Sequence, residues 1–489
     1  MTVSKPLAVL SVASEAVPLV KTGGLSDVAG ALPAAVAPHG VAMTTLLPGY
    51  PAVMRSLGKA RVLHKYDALL GTPARLLAAK LGDHPLIVLD APVLFDRDGG
   101  PYGDDAGRDW GDNWRRFAAL GRAGADLACG AVKGRKFDVL HAHDWQAAMA
   151  PAYVRFAPPA GKPGVPSVMT IHNMAFQGYF SADVFPVLGL PTEAFAIDGV
   201  EYHGGVGFLK AGMDSASAIT TVSPSYAVEI RDPAFGMGLE GLIVSRGERV
   251  SGIVNGIDTA QWNPATDRDI AMRFTARTLD KRVVNKRALE AEFGLEIDDG
   301  PLFIVVSRLT WQKGMDVLAG AIAHLVGNGA RLALLGSGDA ALEAAFVAAA
   351  ARHPGRIGVR IGYDEALSHR MQAGGDAILV PSRFEPCGLT QLYALAYGCV
   401  PVVAHTGGLA DTVIDANIAA IDAGVATGLQ FAGVTPAAVA QAISRAIALY
   451  RQPDVWRMVQ RNGMKADFSW AQSGRAYADL YRKLAGRTS

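Results

Sequence analysis

Several segments of this chain place glycines, cations, carboxylates or imidazoles directly after short apolar runs. The first is Lys21-Thr22-Gly23-Gly24-Leu25-Ser26-Asp27-Val28, which opens a helical pattern. Two glycines let backbone N–H groups approach an anion, a helix N-terminus adds positive potential, and Lys21 adds a charge. The spacing is neither that of a P-loop nor the G-x-G-x-x-G of a dinucleotide site. A lone glycine pair is more often a plain strand-to-helix turn, but the flanking Lys21 and Asp27 favour function. A second segment, His141-Ala142-His143-Asp144-Trp145-Gln146, invites a metal reading. His141 and His143 at i, i+2 share one strand face, however, and no third ligand stands nearby. The favoured reading is a polar strand end that points Asp144 into a cleft and packs Trp145. Thr170-Ile171-His172-Asn173 ends a third run, and His172 there is a candidate for contacting a bound polar group, the alternative being a structural histidine.

The second half of the chain repeats this logic. Arg308-Leu309-Thr310-Trp311-Gln312-Lys313-Gly314 brings two cations off one buried strand, which suits a diphosphate, the alternative being a surface salt bridge. In Pro381-Ser382-Arg383-Phe384-Glu385-Pro386-Cys387-Gly388-Leu389-Thr390-Gln391, residues Gly388 to Thr390 read as a second helix start suited to phosphate. Glu385 would repel an anion and more plausibly holds sugar hydroxyls. His405-Thr406-Gly407-Gly408-Leu409-Ala410-Asp411 echoes the first glycine loop.

These segments need strands to carry them. Candidates are Ala8–Ala13, Leu86–Asp90, Val139–His143, Val168–His172, Ala218–Ser223 and Val250–Asn255, then Leu302–Ser307, Arg331–Leu335, Ile357–Ile361, Ala377–Pro381 and Val400–Ala404. Short, β-branched apolar runs indicate strands buried on both faces, as in parallel sheets. Helical periods, such as Val317–Leu325 and Leu389–Ala396, lie between them. The result is a doubly wound α/β pattern, in which ligands bind beyond the carboxyl ends of the strands. The pattern pauses near Val254–Asp258, which gives domains of 1–255 and 256–466. The tail 467–489 carries Phe468, Trp470, Tyr477, Leu480 and Tyr481, suited to an amphipathic helix packing back on the body.

Composition bounds the rest. A chain of 489 residues exceeds the size at which one core stops growing, ~250–300 residues. Its 50% hydrophobic and 19% charged residues are those of a folded protein. With 46 Lys+Arg against 45 Asp+Glu, no global field recruits nucleic acid or an anionic membrane. Cys129, Cys387 and Cys399 are too few for a disulfide framework or a four-cysteine zinc site. No apolar run approaches the ~20 residues of a spanning helix. Lys5 and the apolar stretch Leu7 to Ala13 read as a first buried strand, not a secretory segment, because Glu15 and Lys21 follow. A soluble, cytoplasmic protein is expected.

As a set, KTGGLSDV, HAHDWQ, TIHN, VNGID, SRLTWQKG and RFEPCGLTQ resemble bacterial glycogen synthase, the ADP-glucose-dependent family related to plant starch synthases, over essentially the whole chain. The resemblance implies the GT-B architecture, two Rossmann-like domains with the active site in the interdomain cleft. It implies transfer of glucose from ADP-glucose to the non-reducing 4-hydroxyl of an α-1,4-glucan such as glycogen, with retention and without a cofactor or metal. It implies donor-binding roles for Lys21 and Gly24, with Asp27 beside them, and an acceptor-facing carboxylate at Asp144. His172 and Asn255 are implied to hold the glucose 6-hydroxyl, and Arg308 and Lys313 to clamp the diphosphate. Glu385 is implied to bind glucose hydroxyls near the anomeric carbon, with Cys387, Gly388, Leu389 and Thr390 lining the donor site, Tyr363 beside adenine, and Tyr102 on the sugar side. One ligand reaching residues of both halves would require closure about 255–260.

One departure stands out. Many retaining GT-B enzymes carry two glutamates eight positions apart, whereas Tyr393 stands at that distance from Glu385. The rivals are a glycosyltransferase using UDP-glucose or making sucrose or trehalose, a phosphorylase with pyridoxal phosphate on a lysine, and a non-catalytic glucan-binding protein.

Overall fold

The computed structural model describes residues 5–487, and the counts below are of those residues. The chain divides into two compact units: residues 1–256 with 470–489, and residues 257–469. Among the described residues no helix is long and apolar enough to cross a membrane.

The first unit is built on twelve strands: β1 (Leu7–Val12), β2 (Val41–Pro48), β3 (Arg61–Leu69), β4 (Thr72–Leu81), β5 (His84–Asp90), β6 (Val139–His143), β7 (Ser167–Ile171), β8 (Tyr179–Phe180), β9 (Glu201–Tyr202), β10 (Gly205–Gly207), β11 (Ala218–Thr221) and β12 (Val250–Gly252). Nine of them form one sheet in the order β12-β11-β7-β6-β1-β2-β5-β4-β3, while β8, β10 and β9 make a small separate sheet. From β12 to β5 every neighbouring pair is parallel, in agreement with the continuous apolar runs of the sequence. The far edge differs from the expected all-parallel sheet. The pairs β3–β4 and β4–β5 are antiparallel, and Leu70-Gly71 turns the β3–β4 hairpin with positive φ at both residues. β3 is largely exposed, so it carries no apolar run to announce it.

The central order β7-β6-β1 matters for function. Parallel neighbours end on the same side, with Val12 paired to Ala142 and His143 paired to Thr170. The exits at Ala13–Glu15, Asp144 and His172 therefore lie side by side. The tail helix Trp470–Leu484 belongs to this unit. It buries Tyr477, Ala478 and Tyr481 against Leu7, Val9, Leu32, Val36, Val139 and Val168.

The second unit is a six-stranded parallel sheet of β13 (Leu302–Val306), β14 (Arg331–Gly336), β15 (Ile357–Ile361), β16 (Ala377–Val380), β17 (Val400–Ala404) and β18 (Leu429–Phe431). Its order is β15-β14-β13-β16-β17-β18. The two neighbours β13 and β16 deliver the segments 307–314 and 381–388 to one edge, and β17 delivers 405–408 beside them.

Candidate active site

In the first unit the glycine loop leads into a helix, Gly24–Val36. Lys21 Nζ donates to Asp27 Oδ1 at 3.0 Å across the turn. A Cβ placed on Gly23 or Gly24 would meet nothing within 4 Å, so this backbone faces open space. The loop is held from below by Glu15, a buried residue that the sequence reading passed over. Its carboxylate accepts from the Thr22 N–H and the Thr22 hydroxyl, both at 2.5 Å, and from the Tyr102 hydroxyl. The signal was present: Glu15 follows a buried strand as the other candidates do. Tyr102 itself directs its hydroxyl inward to Glu15 and to Ser14 Oγ, 2.8 Å away, so the expected sugar-side contact is not made by a free hydroxyl.

Asp144 sits at the exit of β6 with φ of +54°. A non-glycine residue there is strained, and such strain concentrates at functional positions. Its buried carboxylate accepts the His172 N–H at 2.6 Å. Burial pushes its pKa from 3.8 up to about 7, against the lowering effect of main-chain N–H bonds from His172 and Asn173. His172 is buried, with its pKa held well below the usual value by desolvation and by His143. The paired histidines His141 and His143 do not present a metal site. Their rings lie 4.1 Å apart, and His141 uses both nitrogens, on the Tyr481 hydroxyl at 2.7 Å and on Thr170 Oγ1 at 2.6 Å. Asn255 lies beyond β12, buried, with its Oδ1 unpartnered among the described residues. It makes no hydrogen bond to His172 there.

In the second unit the two strand exits are zipped together. Arg383 N donates to Gln312 O at 2.9 Å, and Arg383 forms a two-bond ion pair with Asp316, both contacts 2.7 Å, while lying over the Trp311 ring. This brings Lys313 Nζ to 2.5 Å from Glu385 Oε2. Ser382 Oγ donates to the same oxygen at 2.9 Å. Glu385 Oε1 has no hydrogen-bond partner among the described residues. The two residues expected to serve diphosphate and sugar separately thus form one ion pair. Arg308 is exposed, with no side-chain partner among the described residues.

Cys387 is buried, and Gly388 (φ +73°) and Leu389 lead into the helix Thr390–Tyr397. The second glycine loop supports this turn from behind: Gly408 N donates to Glu385 O at 3.0 Å, and a Cβ on Gly408 would lie 2.2 Å from Cys387 O. Only glycine allows that approach. Tyr363 is 76% exposed, its hydroxyl donating to Glu365 Oε2 at 2.6 Å, so its ring is open to stacking.

The fold also gathers Asp267, Asp269 and His369, whose potential ligand atoms lie within 4.8 Å of one another. Sequence spacing gives no hint of this cluster, because His369 stands 102 positions from Asp267. Asp267 Oδ2 is already engaged, by His369 Nδ1 at 2.7 Å and by the Tyr397 hydroxyl. Trp262 stacks on His369 (3.8 Å) and on Tyr393 (3.7 Å). The arrangement braces Tyr393, the residue standing where a second glutamate was absent.

Residues 8–245 match the starch synthase catalytic domain family, and residues 288–462 match glycosyl transferases group 1. With its two parallel-sheet α/β units, the chain is a glycosyltransferase of the GT-B fold. It is 75% identical to the glycogen synthase of Novosphingobium aromaticivorans, over 97% of this chain and 98% of that one. It is 60% identical to the glycogen synthase of Mesorhizobium japonicum, over 98% and 99%. The catalytic domain of starch synthase IV from Arabidopsis thaliana, bound to ADP and acarbose, superposes with a TM-score of 0.87 at 31% identity, over 99% of this chain and 100% of that one. The chain belongs to the glycogen synthase family.

Proposed function

We propose that the chain transfers glucose from ADP-glucose to the non-reducing 4-hydroxyl of an α-1,4-glucan, with retention at the anomeric carbon, in the cytoplasm. The observation that carries this reading is the Glu385 carboxylate. One oxygen is fixed by Lys313 and Ser382, and the other is left for a sugar hydroxyl, beside a helix start that suits a phosphate. The ADP and acarbose bound to the Arabidopsis relative support a nucleotide donor and a glucan-like acceptor.

As the glycosidic bond breaks, negative charge grows on the diphosphate and positive charge on the sugar. Arg308, Lys313 and the N–H groups at 388–390 stabilise the leaving group. Lys21 and Gly24 serve the distal phosphate and glucose, and His172 and Asn255 hold the 6-hydroxyl. The acceptor hydroxyl attacks the face that the phosphate leaves, and a phosphate oxygen takes its proton, so no protein base is assigned. Glu385 holds the sugar hydroxyls rather than acting as a nucleophile, Asp144 faces the acceptor and the reacting centre, and Tyr363 stacks on adenine. The reading assigns no metal to the transfer.

Nucleotide release with glycogen and either ADP-glucose or UDP-glucose, with EDTA present, tests this. Faster release from ADP-glucose, unaffected by the chelator, is expected. Equal or faster turnover of UDP-glucose overturns the donor assignment.

A further inference from the structure

Behind His172 lies a line of buried polar side chains that ends on a hydroxyl. Ser11, on β1, is fully buried, and its Oγ lies 3.2 Å from His143 Nε2. His143 Nδ1 is in turn 3.0 Å from His172 Nε2. His172 Nδ1 has no hydrogen-bond partner among the described residues, which makes it the nitrogen available to a ligand. His141 cannot join this line, because both of its nitrogens are engaged with Tyr481 and Thr170.

Burial keeps both imidazoles neutral, pushing His143 down to about 3 and His172 well below its usual value. A neutral imidazole has one donor and one acceptor nitrogen, so the line can run in two directions. In one, the Ser11 hydroxyl donates to His143 Nε2, His143 Nδ1–H donates to His172 Nε2, and His172 carries its proton on Nδ1. In the other, each bond reverses, and the Ser11 hydroxyl proton must find another acceptor. Ser11 Oγ has no second partner among the described residues. A buried donor left unpaired is rare in folded proteins. The second direction strands the proton of the fully buried Ser11 hydroxyl, whereas the first leaves unpaired only the His172 Nδ1–H, the position available to a ligand.

We propose that Ser11 and His143 are positioning residues that hold His172 as its Nδ1–H tautomer, so that His172 presents a hydrogen-bond donor, not an acceptor, to a sugar oxygen. The functional part rests on the reading of His172 as a glucose contact. Under that reading the sugar hydroxyl accepts from His172.

The test is long-range proton–nitrogen correlation NMR on the full chain labelled with 15N-histidine. The His172 signals are assigned by their loss in His172→Gln, and those of His143 by their loss in His143→Gln. The expected spectrum has both residues protonated at Nδ1 and bare at Nε2. A His172 protonated at Nε2, or averaged between tautomers in the wild type, overturns the proposal. Ser11→Ala should mix the His172 tautomers and lower kcat/KM for ADP-glucose roughly tenfold with ADP affinity retained, the effect of one weakened hydrogen bond. Ser11→Thr should restore both. An unchanged His172 spectrum in a folded Ser11→Ala variant contradicts the proposal. Failure to turn over ADP-glucose at all would remove the proposed function and leave the tautomer result standing.

Discussion

Lys313 Nζ lies 2.5 Å from Glu385 Oε2, joining the cation on the exit of β13 to the carboxylate on the exit of β16. The side chains are only 17% and 7% exposed, so the pair is poorly screened. In the proposed donor site, Lys313 would neutralise Glu385 where a lone carboxylate would repel a diphosphate, and Glu385 would keep Lys313 in place. Removing one partner from a buried pair is more harmful than removing both, because it strands a charge. Lys313→Met and Glu385→Gln should therefore each destabilise, and the double variant should recover part of the loss. A coupling of roughly 0.5–3 kcal/mol from urea unfolding of the four proteins is expected. A coupling of zero would mean that the contact carries no energy.

Asp144 should make the stability of the fold sensitive to pH. Its carboxyl titrates at about 7 in the fold against 3.8 ordinarily, so the folded state holds a proton that the unfolded chain releases. The corresponding stability is fully present below pH 3.8, declines as pH rises, and is lost above about 7. Asp144→Asn should flatten that slope between pH 4 and 7 in denaturant midpoints. If the ionised form faces the developing positive charge on the sugar, kcat of the wild type should rise through pH 7, and the Asn variant should lose this rise. A wild-type profile flat from pH 6 to 8 would separate Asp144 from the chemistry.

Glu15 is expected to act through the glycine loop. Glu15→Gln replaces a carboxylate that accepts from the Thr22 N–H, the Thr22 hydroxyl and Tyr102 with a neutral amide. Charge-assisted bonds of this kind contribute about 1.5–3 kcal/mol. The donor KM should rise roughly tenfold or more, with faster amide exchange at residues 22–25. Unchanged exchange in that loop would show that Glu15 does not hold it.

The tail helix should stabilise the first unit through its aromatic face. Tyr481→Phe removes the 2.7 Å bond to His141 Nδ1 and leaves a buried nitrogen unpaired. A loss of about 1–3 kcal/mol in unfolding free energy is expected. A change under a few tenths would mean that the bond is replaced.

Much of this was legible in the sequence where a buried strand ends on a polar residue. The apolar runs before Asp144, His172, Arg308 and Pro381 announce their own position, because parallel strands buried on both faces leave long hydrophobic signatures. β3 leaves none, being largely exposed, and β18 is only three residues long. Partnerships were the least legible feature. Lys313 with Glu385, Ser11 with His143, and Asp267 with His369 join residues 72 to 132 positions apart, and only the order of strands brings them together. Glu15 shows in the sequence only as the charge that ends the apolar segment Leu7 to Ala13.

The central claim is that Glu385, with one oxygen fixed by Lys313 and Ser382, holds the sugar during transfer. The most direct measurement incubates wild type and Glu385→Ala with ADP-glucose and a maltooligosaccharide of defined length. Product length and linkage are read by NMR, and ADP affinity by calorimetry, on variants with matched melting curves. The account predicts one-glucose extension through an α-1,4 bond by the wild type. It predicts that Glu385→Ala loses turnover by orders of magnitude while binding ADP nearly as before, since an interaction made mainly in the transition state is missing. A Glu385→Ala variant that extends the acceptor at near-normal rate but no longer binds ADP would place Glu385 in the nucleotide site and contradict the account.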